Sequence, residues 1–175
     1  GWLADERIWD NIGELRAIYE THLDQPAQWA PEVAVIVDEA SPSYLACNPA
    51  IMRPLASLFR TQFYRMGVPF SQYLLSDLVA GRVPEHKAYI FIGCFRQTHA
   101  QREAIVETVA GKTAIWMYGS GLIQGRPFAQ CITELTGMPV YLLEEDVPAM
   151  ITLETASSLC AGLPATPFGV ETRSE

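Results

Sequence analysis

Residues 33–37 read Val33-Ala34-Val35-Ile36-Val37, and Asp38-Glu39 closes the run. All but Ala34 are β-branched, which favours a strand. No polar residue alternates with them, so both faces of that strand are expected to be covered. The same kind of run returns at 87–94 (KAYIFIGC) and at 113–118 (TAIWMY). Shorter versions stand at 70–75 (FSQYLL) and 139–143 (PVYLL).

Helical patterns separate these runs. Residues 50–66 put Ile51, Leu55, Leu58, Phe59, Phe63 and Met66 on one side. Gly67 suits the C-terminal cap of that helix, and Pro69 blocks its continuation. Ser76 and Asp77 are expected to cap a short helical turn through Val79. Thr98 is expected to cap a helix over 99–109 that Gly111 ends. Residues 127–136 read as a helix with Pro127 at its first position, and 150–153 as a further short strand. This alternation predicts an α/β fold: an open, mostly parallel sheet with helices on both faces.

The chain opens differently. Over residues 4–23, Ile8, Ile12, Leu15, Tyr19 and Leu23 recur at spacings of three and four, the mark of an amphipathic helix. Asp5 and Glu6 fall in its first turn and complement the dipole. Gly13 weakens it by about 1 kcal/mol relative to Ala. Residues 24–31, with two prolines, read as a linker. The expected organisation is a helix and linker over 1–31, an α/β domain over 32–145 and an irregular extension over 146–175. That extension is expected to stop short of a natural end.

Composition excludes several classes. The 175 residues are 49% apolar and 18% charged, which supports one packed core and argues against disorder. No apolar run reaches the ~18 residues of a membrane span. Twenty acidic against twelve basic side chains give a net charge of −8, which a phosphate backbone would repel. The longest basic cluster is Arg53, Arg60 and Arg65 on one predicted helix. Neither nucleic acid nor a membrane is an expected partner. Cys47, Cys94, Cys131 and Cys160 lie far apart without a C-x-x-C pair, so no metal is expected, and reduced thiols in the cytoplasm are. No cofactor motif is present, because the glycines form neither G-x-G-x-x-G nor a P-loop.

In a doubly wound sheet, ligands bind beyond the carboxyl ends of the strands. Those ends carry Asp38, Glu39 and Ser41, then Cys94 and Phe95, then Tyr118, Gly119, Ser120 and Gly121. These residues form the candidate pocket. Asp38 and Glu39 have the chemistry of an acid–base or cation-binding pair. The plainer reading is an exposed loop start with Asp38 in an Asx-turn. Cys94 follows a strand and precedes a helix, as a nucleophile would. Yet Gly93-Cys94-Phe95-Arg96-Gln97 lacks the second glycine of a nucleophile turn, and a buried structural thiol is the expected role. Gly119-Ser120-Gly121 resembles part of a nucleophile elbow, with the wrong spacing and no His after it. His22, His86 and His99 stand singly and read as surface residues. No catalytic residue is assigned.

Longer strings carry a resemblance. The segments 33–41 (VAVIVDEAS), 73–78 (YLLSDL), 87–92 (KAYIFI), 102–105 (REAI) and 112–121 (KTAIWMYGSG) resemble the middle, trimerisation domain of family 42 glycoside hydrolases, the β-galactosidases. Their order and spacing agree over about residues 32–170, with only a loose match after 146. The resemblance implies a flavodoxin-like, class I glutamine-amidotransferase-like fold that has lost its nucleophile. It implies a homo-oligomer, trimer or dimer, and a preceding catalytic barrel that holds the sugar-cleaving carboxylates. The stretch 4–23 would then be the connector leaving that barrel. The expected function is non-catalytic oligomerisation or interdomain assembly. Trp2, Trp9 and Trp29 are either interface anchors or packing of the first helix onto its own domain. Two alternatives stay open: a small-molecule or sugar-binding module using Asp38, Glu39 and Tyr118, and an amidotransferase- or hydrolase-type enzyme using Cys94 or Ser120. The thiol version of the second requires a low-pKa, reachable Cys94.

Overall fold

The structure is a computed structural model that describes residues 5–24, 31–44, 59–141, 149–151, 161–162 and 168–170. Helix α1 (Glu6–His22) is followed by strand β1 (Val33–Val37) and a 3-10 turn at Ser41–Tyr44. Then come α2 (Phe59–Arg65), β2 (Phe70–Leu74), α3 (Leu75–Val79), β3 (Ala88–Ile92), α4 (His99–Val109) and β4 (Thr113–Met117). A two-residue ladder joins β5 (Ile123–Gln124) to β6 (Arg126–Pro127) before α5 (Ala129–Thr136). A second small ladder pairs β7 (Ala149–Ile151) with β8 (Phe168–Val170).

The main sheet is all parallel, in the order β2-β1-β3-β4. That order, with helices on both faces, makes this a flavodoxin-like three-layer α/β fold. Strand alternation sorts the core into two halves. Ala34, Ile36, Tyr89 and Phe91 face Leu75 and Leu78 of α3, Ile105 of α4 and Leu135 of α5. Val35, Ile90 and Ile92 face the other way, toward Phe63 of α2. Phe91 and Trp116 stack across β3 and β4, with centroids 4.6 Å apart. Complete burial of a ring such as Phe91 contributes about 2–3 kcal/mol.

Local expectations fared unevenly. Helix α4 has its predicted Thr98 cap, closed into a capping box by Gln101. In α1, Asp5 is the N-cap itself rather than a first-turn residue, and its carboxylate accepts from the Arg7 N–H at 3.1 Å. Helix α3 begins at Leu75 behind an uncapped Leu74, so Ser76 and Asp77 lie inside it. Pro127 does not open α5. It sits in the β6 edge, where its missing N–H is harmless, and Phe128 precedes the helix. Met66 is exposed rather than part of the buried side. Residues 139–141 are not a strand, and the expected strands over 142–143 and 152–153 lie outside the described residues. So do Ile51, Arg53, Leu55 and Leu58.

No residue of helix α1 is fully buried, and Ile8 is half-buried. Leu15 is 66% exposed, and Trp9, Ile12, Ile18, Tyr19 and Leu23 are exposed as well. Trp9 is 57% exposed. Trp2 and Trp29 lie outside the described residues.

Gly121 (φ +79°) is where β4's exit loop meets α5. A Cβ there would stand 2.7 Å from Leu135 Cδ2 and 3.0 Å from an Arg102 guanidinium nitrogen. Gly121→Ala is expected to lower unfolding stability by roughly 2–4 kcal/mol, from positive φ and overpacking together. A urea melt that moves by less than half that range would show the junction to be looser than drawn.

Candidate functional site

The order of strands reverses between β1 and β3, so the crevice at their carboxyl ends is the default ligand position. Among the described residues, the loops that follow β1 and β3 meet there through hydrogen bonds. Asp38 is 2% exposed, not the exposed loop start that the sequence suggests. Its Oδ1 accepts from the Ala40 N–H at 2.9 Å, which is the expected Asx-turn. Its Oδ2 accepts from the Ser41 hydroxyl. The Ser41 Oγ in turn accepts from the Arg96 N–H at 2.9 Å. Burial of Asp38 is tolerable because the turn and the hydroxyl satisfy its carboxylate.

The loop after β3 is pinned from its other side. Gly121 N–H donates to the Cys94 carbonyl at 2.7 Å, and Ile123 N–H to the Phe95 carbonyl at 2.8 Å. The Gln97 amide donates to the Cys94 carbonyl at 3.2 Å, while its Oε1 is buried without a hydrogen-bond donor. Ser120 is buried and its hydroxyl donates to the Met117 carbonyl at 3.3 Å. A hydroxyl so placed has no base beside it among the described contacts.

Cys94 is fully buried, as expected for a structural thiol. Burial pushes its pKa well above the ordinary range, and the nearby negative charge of Asp38 adds to the effect. This is opposite to the low-pKa, reachable thiol that a nucleophile needs. Cys131 is buried and free as well, and Cys47 and Cys160 lie outside the described residues.

The candidate pocket residues differ in exposure. Asp38, Ser41, Cys94, Phe95, Ser120 and Gly121 are buried, and Gly119 packs within 4 Å of Phe95. Glu39 and Tyr118 are exposed. Tyr118 is 58% exposed, holds φ +40° and sets its ring edge-on to Phe95. A positive φ on an aromatic residue is strained and concentrates at functional positions. The Arg96 guanidinium lies 4.5 Å over the Tyr44 ring on the same rim. Two cavities of about 650 Å³ lie elsewhere, one at the amino ends of the strands around His86 and one beside Phe70 of β2.

His86 corrects the expectation of a surface residue. It is 6% exposed, with Nδ1 2.9 Å from the Pro31 carbonyl and Nε2 3.3 Å from the Tyr73 hydroxyl. A carbonyl only accepts, so Nδ1 carries the hydrogen. The hydrogen-bond partners of its ring lie 55 and 13 residues away in sequence and leave no local signal. His22 and His99 are exposed as expected. Among the described residues no group of three or more His, Cys, Asp or Glu side chains is placed to hold a metal ion. No described helix is long and apolar enough to cross a membrane.

With this geometry in place, comparison with known proteins is informative about the fold. No protein-family model matches the chain, and no curated protein matches it. Among solved structures the chain is similar to the crystal structure of β-galactosidase from Bifidobacterium adolescentis, with a TM-score of 0.51 and 14% identity. The match covers 73% of this chain and 63% of that chain. At such low identity it shows a shared fold.

Two outcomes test this site. Ser41→Ala removes a donor to buried Asp38 and an acceptor for Arg96, and is expected to cost about 2 kcal/mol in a denaturant melt. An unchanged melt would mean that the latch is not closed in solution. Native Cys94 is expected to react with iodoacetamide at pH 8 far more slowly than a free thiol. Because its folded pKa is raised, the stability that it contributes is intact below about pH 8.5 and declines as pH rises beyond that. Fast labelling would contradict the buried thiol.

Proposed function

We propose that this chain is a non-catalytic assembly domain of a larger glycoside-hydrolase-related protein. The observation that carries the reading is α1: a 17-residue helix whose broad apolar face is largely exposed and holds no fully buried residue. Such a face is unfavourable in water and is characteristic of interaction surfaces. The strand-end loops support the non-catalytic part, since Cys94 is buried with its pKa raised and the Ser120 hydroxyl has no base beside it among the described residues. The β-galactosidase neighbour and the resemblance in the strand strings support the glycoside-hydrolase setting. On this reading the partners are further copies of the chain, as a trimer or dimer, and a catalytic barrel domain. The cytoplasm is the proposed location.

Light scattering over a concentration series tests it. The chain is expected to run above monomer mass, and Leu15→Glu with Tyr19→Glu to return it to monomer. Both side chains are exposed, so the double variant is expected to keep the domain folded. A monomer at every concentration would overturn self-assembly through α1. Hydrolysis of a galactoside by the isolated chain would overturn the non-catalytic reading.

A further inference from the structure

A cavity of about 500 Å³ lies between α4 and α5, and Arg102 lines it. Arg102 is 8% exposed. Its guanidinium donates to the Cys131 carbonyl at 2.7 Å and to the Gly121 carbonyl at 3.4 Å. Those contacts use two of its five hydrogens. No ion pair to Arg102 forms among the described residues, whereas buried charges are normally paired.

The rest of the cavity has the opposite sign. Glu103 lies 3.4 Å from the His99 ring, and Glu107 and Glu134 line the cavity without an ion pair among the described residues. Val106 and Leu135 supply aliphatic wall. A simple anion would gain Arg102 and be repelled by the two carboxylates. A simple cation would meet the reverse. A small zwitterion satisfies both signs at once.

We propose that this cavity binds a free amino acid with an aliphatic side chain. The carboxylate sits on Arg102, the ammonium on Glu107 and Glu134, and the side chain against Val106 and Leu135. The site is independent of assembly through α1.

The test titrates the full chain with L-leucine, with isocaproate (no ammonium) and with isoamylamine (no carboxylate), following backbone amide shifts by NMR. Saturable shifts in α4 and α5 are expected with leucine, and binding at least about tenfold weaker with either half-molecule. Glu107→Gln with Glu134→Gln is expected to weaken leucine by a similar factor. Both are exposed and leave the Arg102 contacts to Gly121 and Cys131 intact, so amide dispersion will report a preserved fold. No saturable response to leucine, an equal response to isocaproate, or unchanged affinity in the double variant would overturn the proposal.

Discussion

The pairing of β1 with β3 sets residues i and i+55 side by side well beyond the strands themselves. Within the ladder Val33 lies opposite Ala88 and Val37 opposite Ile92. At the amino end the same offset brings the Pro31 carbonyl to His86 and Glu32 to Lys87. At the carboxyl end it brings Ser41 to Arg96. One register therefore places the buried histidine, an exposed ion pair and the latch over the crevice. A slip by one residue would turn Ile36 and Phe91 out of register with their core and separate every one of these contacts.

That register also explains what could be read from sequence. Strands β1 and β3 are legible because parallel strands covered on both faces are written as continuous apolar runs, and β4 reads the same way although Ile115 on its outer face is exposed. Helix α4 was legible because its cap is a local motif, Thr98 with Gln101. Asp38 and His86 were misread because what buries each of them is decided across the sheet. Nothing near Asp38 in sequence announces that Arg96 will anchor its Ser41 partner, and nothing near His86 announces Pro31. Pro127 misled for the converse reason. Its fixed φ suits a helix start and an edge strand equally, and only the Ile123–Gln124 partner decides between them.

The crevice shows how a fold and its usual site come apart. Doubly wound sheets bind at the strand-order switch, and this sheet has the switch. Here Asp38, Ser41 and the Arg96 backbone join the loops beside it by mutual hydrogen bonds. Losing the Ser41 hydroxyl while the site stays buried would leave a carboxylate and a backbone N–H each short of a partner. The strained Tyr118 stays outside that latch, on the rim, held by Phe95. Fold alone therefore says little about chemistry in this chain.

Helix α1 carries the surface on which the assembly reading depends. Its periodicity was plain in the sequence, but periodicity reports a face and not what covers it. At about 100° per residue, Ile18 and Trp9 lie on opposite borders of the apolar arc, which spans about half the helix. A two-helix seam uses a narrower stripe. On the assembly reading, the surface that covers α1 must therefore be a groove, or more than one neighbouring helix. The acidic residues Glu6, Asp10, Glu14 and Glu20 lie on the far half, away from that contact. Their placement lets α1 be buried along one side without taking a carboxylate out of water.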